Sequence, residues 1–541
     1  MAPTSARPRE VTSVLRAVES GLAQGSPTTV WFDHQPYPLA ELDRLSNRMA
    51  SYLAARVKPG DRVGVMARNG LTALLAWWGS AKCGAIVVPY NTSNVGEFLR
   101  HQVTDSAPRL LVAQAEFVPE LMAGAAGLDV VELIVEGADV AVPGFAGPVV
   151  DIDAALAAGD GDYQGPPIDP RDPSHLIYTS GTTGPSKACV VSHSYVCNMA
   201  LDMVENVERR PSELLWTALP MFHLAAVAHL TGSVLIGASM SLASRFSVRR
   251  FWDDIERSGA GIAALMGSML PMVAQADETE AARRVKGQLR VVSGSPVSAD
   301  LAALWRERFG VQRVGAGAYG MTEASLITST PPDQYRAGSA GKENDSFEVR
   351  IVDGDGQRVP PGTPGSIVCR PKRPGAMFDG YWRQPEQTLA VFRDLWFNTG
   401  DLGRMDEDGY LYFVDRGKDY LRRGGENISS YDMESVLGAH PDIVEVAVHA
   451  VPSALNEDEV KVTAVRRAGS ALGEHELFEW CHGRVPRYAM PRYIEFRDQL
   501  PRNPVGRVLK HKLRAEGLTA TTWSAQSSRG PVAEPAGNRP T

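Results

Sequence analysis

The sequence predicts an α/β fold: a large N-terminal domain of mixed and parallel sheets flanked by helices, a small β subdomain at its end, and a smaller α+β C-terminal domain. Three observations predict it. Up to about residue 345, short apolar runs alternate with segments of helical apolar spacing, the pattern of a largely parallel sheet. Beyond that point, short alternating strands are broken by Gly, Pro and Asp turns, as in antiparallel sheets. The 541 residues exceed one compact domain at roughly 100–200 residues each.

The elements follow in order. Residues 11–56 carry helical apolar spacing. Asp61–Met66 reads as a buried strand after the turn Pro59-Gly60, Leu71–Cys83 as a helix and Ala85–Tyr90 as a strand. Further strands are expected at Arg109–Ala113, Val130–Glu136, Leu214–Leu219, Ser239–Ala243 and Leu289–Ser293. The β subdomain, 346–417, is expected to hold Glu348–Val352, Ser366–Arg370 and Tyr410–Asp415. It closes a first domain of residues 1–417. In the second domain, 418–517, Ser430 is placed to cap a helix to about Ala439, Val444–Val451 and Val460–Arg466 alternate like strands, and Glu474–Arg484 is amphipathic. Residues 518–541, rich in Ala, Thr, Ser, Gly and Pro, read as a disordered tail.

Composition narrows the function. Apolar residues make up 44 % and charged residues 22 %, ordinary globular usage. Lys plus Arg total 55 against 63 Asp plus Glu, a net charge of −8, so the chain lacks the electrostatic footprint of a nucleic-acid binder. The five cysteines form no CxxC pair and read as reduced thiols. The N-terminal MAPTSARPRE has no apolar core of the secretory kind, and the apolar stretch at Leu71–Gly79 falls short of the ~20 residues that span a bilayer. No membrane span and a cytoplasmic location are expected.

Two glycine-rich segments carry chemical signals. Tyr178-Thr-Ser-Gly-Thr-Thr-Gly-Pro-Ser-Lys187 combines small residues, hydroxyls and a cation, which lets backbone N–H groups face a phosphate. It is not a P-loop: Ser186 stands where the second Gly belongs and Ala188 where Ser/Thr belongs. Gly315-Ala-Gly-Ala-Tyr-Gly320 matches GxGxxG, but a dinucleotide site needs a helix to open there, and Met321-Thr322-Glu323 follows instead. Neither HExxH, a zinc quartet nor a GxSxG elbow occurs.

In order along the chain stand YTSGTTGPSK (178–187), LPMFH (219–223), YGMTE (319–323), GYWRQPEQT (380–388), WFNTGDLGRMDEDGYLYFVDRGKD (396–419), RRGGENISSYDMESVL (422–437) and PRNPVGRVLKHKL (501–513). Together they resemble the adenylate-forming superfamily of acyl- and aryl-CoA synthetases, luciferases and peptide-synthetase adenylation domains. The GGENISS and Asn456–Val460 segments are most similar to the acyl-CoA ligase branch. The resemblance implies two steps. A carboxylate attacks the α-phosphate of ATP to give acyl-AMP; a mobile C-terminal domain then turns, and coenzyme A displaces AMP.

The resemblance also implies roles. Thr179, Ser180, Gly181, Thr182, Thr183, Gly184 and Lys187 would hold the outer phosphates. Tyr319 would lie against adenine, with Gly294 and Ser295 near the base and acyl chain. Thr322 would donate to the α-phosphate, and Glu323, with Thr182, would hold Mg2+. Asp401 would accept the ribose hydroxyls and Arg416 reinforce that contact; a turn cap and a surface ion pair are the plainer readings. His223 would gate the acyl pocket or sit as a core histidine. Lys418 would mark the hinge, and Gly424 and Gly425 the CoA channel, unless they only serve a turn.

One position departs from the family pattern. Arg507 stands where the family carries a lysine that reaches the α-phosphate and the substrate carboxylate. Arginine keeps the charge but replaces a compact ammonium with a planar fork. With ten lysines to forty-five arginines, drift toward Arg is a competing explanation, and Lys510 or Lys512 a substitute cation. Three residues along an extended segment displace a side chain by ~10 Å, which weighs against substitution. The expected function is therefore an acyl-CoA ligase weakened in adenylation, down to a thioesterification-only enzyme fed acyl-AMP by a separate adenylating enzyme. A fully ATP-dependent acid–CoA ligase, an adenylating enzyme with a non-CoA acceptor and a non-catalytic nucleotide binder stay open. The acid is expected to be a hydrophobic monocarboxylate, since segments 222–230, 267–271, 294–296 and 315–325 offer no spare cation for a second carboxylate.

Overall fold

The computed structural model describes residues 12–137, 142, 145–179, 185–266, 269–295, 297–315, 317–330, 334–336, 338–416, 420–453, 457–502 and 508–525. The chain divides into two compact units, one of residues 1–94, 99–179 and 186–418, the other of 95–98, 180–185 and 419–541.

Two seven-stranded sheets form the larger unit. One runs Val149–Asp151, Glu132–Glu136, Leu110–Gln114, Arg62–Met66, Ile86–Pro89, Pro173–Thr179, Lys187–Ser192. The other runs Arg313–Val314, Val291–Ser293, Ile262–Ala264, Leu215–Thr217, Met240–Leu242, Thr29–Phe32, Gln35–Pro38. In each sheet the pairs are parallel except the last, which is antiparallel. Parallel strands are covered on both faces, which explains why Val63–Met66 and Leu110–Ala113 are buried without alternation. Helix Leu71–Lys82 has Thr72–Ala81 buried in succession, so the apolar stretch seen in the sequence is a core helix. No helix among the described residues is long and apolar enough to cross a membrane.

The mixed α/β class expected from the sequence is what the chain adopts, with local differences. Residues 11–56 are not helical throughout: Val14–Ala23 and Leu39–Ala54 flank a hairpin, Thr29–Phe32 with Gln35–Pro38. Its turn places Asp33 and His34 at φ 43° and 73°, and Asp-His lacks the glycine that signals such a turn. The GxGxxG segment leads into a hairpin, Tyr319–Met321 with Ser325–Ser329, and no helix opens there. Phe347–Val352, Gly365–Pro371, Trp396–Met405 and Leu411–Arg416 pair antiparallel in turn, with Phe392–Arg393 on Trp396–Met405.

The smaller unit carries a hairpin, Tyr420–Arg423 with Glu426–Ser429, and a four-stranded sheet in the order Ile443–Pro452, Asp458–Arg466, Tyr493–Phe496, Trp523–Ser524. Helix Ser430–Gly438 is capped by Ser429, not Ser430: Ser429 Oγ accepts from Asp432 N at 3.2 Å. The start of the expected disordered tail is structured. Trp523 pairs with Ile494 and packs 5.6 Å from the Phe478 ring, and Thr522 Oγ1 donates to Glu495 at 3.2 Å. These two aromatic and hydroxyl anchors outweigh the low apolar content of the segment.

Candidate active site

The Thr322-Glu323 turn is fixed from below. Met321 pairs with Ser325 and Gly320 with Leu326, so Thr322, Glu323 and Ala324 form the tip of a tight hairpin. A Cβ on Gly320 would stand 1.9 Å from the Ser325 carbonyl oxygen, so only glycine closes it. Ser325 takes φ 49°, an unusual conformation for a residue with a side chain. Tyr195, fully buried in helix His193–Asn206, ties both ends of the tip. Its hydroxyl donates to the Thr322 carbonyl at 2.8 Å and accepts from Ser325 N–H at 2.5 Å. Burial, with the nearby thiol of Cys189 and carboxylates of Glu323 and Asp202 adding to it, pushes the Tyr195 phenol well up, so it stays protonated and able to donate.

Glu323 is 7 % exposed. Its carboxylate Oε1 accepts from the Tyr381 hydroxyl at 3.0 Å and from Thr179 Oγ1 at 3.5 Å, and its carbonyl from Phe378 N–H at 2.9 Å. The segment bearing Tyr381 lies along strand Lys187–Ser192: Asp379 N donates to Val190 O, Val190 N to Gly380 O and Trp382 N to Ala188 O. Lys187, first residue of that strand, holds its ammonium 4.9 Å from the Tyr381 ring centroid. Of the two residues that bracket the glycine-rich loop, Thr179 thus reaches the Glu323 carboxylate directly, and Lys187 lies against Tyr381, which does.

A second cluster joins Tyr319 and Asp401. The Tyr319 hydroxyl donates to Asp401 Oδ2 at 2.6 Å, although 82 residues separate them. Asp401 is 5 % exposed, and its N–H donates to Thr399 Oγ1 at 3.2 Å. Arg416 is its register partner on the neighbouring strand. Gly294 ends strand Val291–Ser293; a Cβ there would lie 2.5 Å from Leu270 Cδ1, which explains the glycine by packing. Ser295 beside it is exposed.

Other expected residues lie apart. His223 precedes helix Leu224–Ile236, its ring 4.8 Å from that of Phe222. The LPMFH segment is held by Asn69: its amide donates to Leu219 O and Ala243 O at 2.9 Å and its Oδ1 accepts from Met221 N at 2.7 Å. Met221 and Phe222 border a cavity of about 20 Å³ lined by Val65, Ala67, Trp77 and Val227 among others. In the smaller unit Gly424 and Gly425, at φ 62° and 81°, both donate to the Glu457 carboxylate, the former at 2.5 Å. Lys510 is paired with Glu434 at 2.7 Å. Ser180, Gly181, Thr182, Thr183, Gly184, Lys418 and Arg507 lie outside the described residues, as does the side chain of Arg416. Sequence reasoning missed Tyr195, Asn69 and Tyr381. Only Tyr381 had a signal, its place in GYWRQPEQT.

Among the described residues no group of three or more His, Cys, Asp or Glu is arranged to cage a metal. A Mg2+ bound with a nucleotide needs no cage: one or two carboxylates, substrate phosphates and water suffice. The buried Glu323 carboxylate, approached by hydroxyl donors, fits that requirement.

Comparison with known proteins agrees with this layout. The family model described as AMP-binding enzyme matches residues 22–382, and that of the AMP-binding enzyme C-terminal domain matches 432–507. Crotonobetaine/carnitine–CoA ligase of Salmonella paratyphi C is 30 % identical over 491 residues, covering 88 % of this chain and 93 % of that one. The apo crystal structure of MatB from Rhodopseudomonas palustris superposes with a TM-score of 0.66 at 27 % identity, over 93 % of this chain and 98 % of that one. A double mutant of o-succinylbenzoate CoA synthetase (MenE) from Bacillus subtilis, bound to a product analogue, gives 0.75 at 25 % identity, again over 93 % and 98 %. The chain belongs to the AMP-binding enzyme family, within the acyl-CoA ligase branch of the adenylate-forming superfamily.

Proposed function

We propose that this protein joins a hydrophobic monocarboxylic acid to coenzyme A through an acyl-adenylate, with the adenylation half-reaction slowed by Arg507. The observation that carries the reading is the rigid Thr322-Glu323 tip, set between the residues that bracket the phosphate loop and linked through Tyr319 to Asp401. In this reading Asp401 accepts from the ribose and Tyr319 covers the base. Thr179, Lys187 and the intervening loop residues Ser180, Gly181, Thr182, Thr183 and Gly184 hold the outer phosphates. Thr322 donates to the α-phosphate as negative charge builds there. Mg2+, when held by Glu323 and Thr182, supplies positive charge to the phosphate oxygens. The carboxylate oxygen attacks phosphorus and pyrophosphate leaves. The CoA thiolate then attacks the acyl carbonyl and AMP leaves, after the C-terminal domain turns about Lys418 and brings Gly424 and Gly425 along the CoA path.

Arg507 bears on the first step only. Losing one preorganised donor to developing charge costs ~10²–10³ in rate, about 2.7–4 kcal/mol. Lys510 is already committed to Glu434, which supports the view that it is no replacement. The name of the Salmonella relative adds support for CoA as acceptor, and the lack of Lys or Arg in segments 222–230, 267–271, 294–296 and 315–325 for an apolar acid. Two mixtures test the reading: ATP, CoA and a panel of hydrophobic acids, and synthetic acyl-AMP with CoA. Slow pyrophosphate release in the first, fast thioester formation in the second and faster release in Arg507→Lys are expected. Rapid release by the unaltered protein, with no gain in Arg507→Lys, contradicts the role given to Arg507.

A further inference from the structure

We infer that Tyr381 is a positioning residue that holds the metal-binding carboxylate of Glu323 and the phosphate-binding ammonium of Lys187 in one fixed relation. The inference rests on the adenylation reading above. Tyr381 carries two different contacts on one side chain. Its hydroxyl donates to Glu323 Oε1 at 3.0 Å, and its ring face lies 4.9 Å from Lys187 Nζ. The first contact restricts rotation of the carboxylate. The second draws the ammonium toward the ring by its quadrupole.

The ring itself is held from several directions. Tyr381 forms an antiparallel bridge with Cys189, and its N–H donates to Thr388 Oγ1 at 2.9 Å. The Phe378 ring meets it edge-on at 5.0 Å, while Phe378 N–H donates to the Glu323 carbonyl. Backbone and side chain of Glu323 are thus both tied to the 378–381 segment, which is itself tied to the strand that Lys187 begins. A residue needed only to satisfy a buried carboxylate has no reason to present its ring to Lys187 as well. The two contacts set the separation of the Glu323 carboxylate, which would hold the metal, and the Lys187 ammonium before the nucleotide arrives.

Tyr381→Phe and Tyr381→Leu separate the two contacts: Phe removes the hydroxyl and keeps the ring, Leu removes both. Mn2+ affinity is read by electron paramagnetic resonance on the full chain with α,β-methylene-ATP, and nucleotide affinity by calorimetry at saturating Mn2+. Removing a group that orients a metal ligand weakens metal binding roughly 10–100-fold, so Tyr381→Phe is expected to lose about tenfold in Mn2+ affinity and to hold nucleotide within about twofold. Tyr381→Leu is expected to lose in both. Tyr381→Phe is nearly isosteric and carries the test even where Tyr381→Leu folds poorly. Unchanged Mn2+ affinity in Tyr381→Phe overturns the inference, as does equal loss of nucleotide affinity in the two variants. Failure of the unaltered protein to bind Mn2+ with the nucleotide overturns the adenylation reading, and this one with it.

Discussion

Tyr195→Phe removes one oxygen atom and nothing else, yet it should weaken both folding and chemistry. The hydroxyl answers two backbone groups, Ser325 N–H and the Thr322 carbonyl. Ser325 is 1 % exposed, so its N–H would be left dry and unpaired, at about 1–3 kcal/mol. The Thr322 carbonyl lies at the partly exposed tip and would lose only the net value of a hydrogen bond, about 0.5–1.5 kcal/mol. The sum is about 1.5–4.5 kcal/mol of stability in the larger unit. The released tip also frees Thr322 from its place; if Thr322 is the proposed donor to the α-phosphate, misplacing it by about 1 Å costs on the order of 10²-fold in rate. Urea unfolding followed by tryptophan fluorescence reads the first effect and ATP–pyrophosphate exchange the second. A variant within about 0.5 kcal/mol of the parent and exchanging at an equal rate would refute the argument that Tyr195 builds the tip.

Three further outcomes follow from the same geometry. Gly320→Ala puts a carbon 1.9 Å from the Ser325 carbonyl oxygen, so the hairpin must open; loss of several kcal/mol and of exchange activity is expected, and a variant that unfolds like the parent contradicts the register. Burial lowers the pKa of His175 to about 3, of His193 to about 4 and of His229 to about 3, so all three stay neutral when folded. Unfolded, they titrate near 6.5; their stabilising contribution is full above that pH and is lost as pH falls toward 4, at up to about 4 kcal/mol per pH unit for the three together. A urea midpoint that does not fall between pH 7 and 5 would contradict this. Glu457→Ala leaves the N–H groups of Gly424 and Gly425 without their carboxylate, so the KM for CoA should rise about five- to tenfold while ATP–pyrophosphate exchange holds; a change in exchange alone would separate that turn from the CoA step.

Local signals carried most of the fold into the sequence. Strands such as Leu110–Gln114 and Ile86–Pro89 announced themselves as short apolar runs because parallel sheets bury both faces. The hairpin Thr29–Phe32 with Gln35–Pro38 was hidden because a long-range pairing decides it: Thr29–Phe32 lies parallel to Met240–Leu242, more than two hundred residues away. At the site, Thr179, Lys187, Glu323, Tyr319 and Asp401 were legible through motifs. The groups that hold them were less so. Tyr195 is one apolar-facing residue among many on a buried helix, and nothing in its neighbours announces a hydroxyl reaching the 322–325 turn. Asn69 likewise stands beside Arg68 just after a strand with nothing to single it out, and only the fold shows it bonding two separate loops. Motifs mark the residues proposed to meet the ligand; the supporting hydrogen bonds join segments far apart in sequence and leave no periodic trace.

The central claim is that the acid becomes a mixed anhydride with AMP before it meets the thiol. Incubation of the full chain with ATP, CoA and a hydrophobic acid labelled with oxygen-18 in both carboxylate oxygens, followed by mass spectrometry of the nucleotide, decides it. An acyl-adenylate leaves a single heavy oxygen in the phosphate of AMP when the thioester forms. Thioester made with unlabelled AMP, or with ADP and labelled inorganic phosphate, would contradict the account.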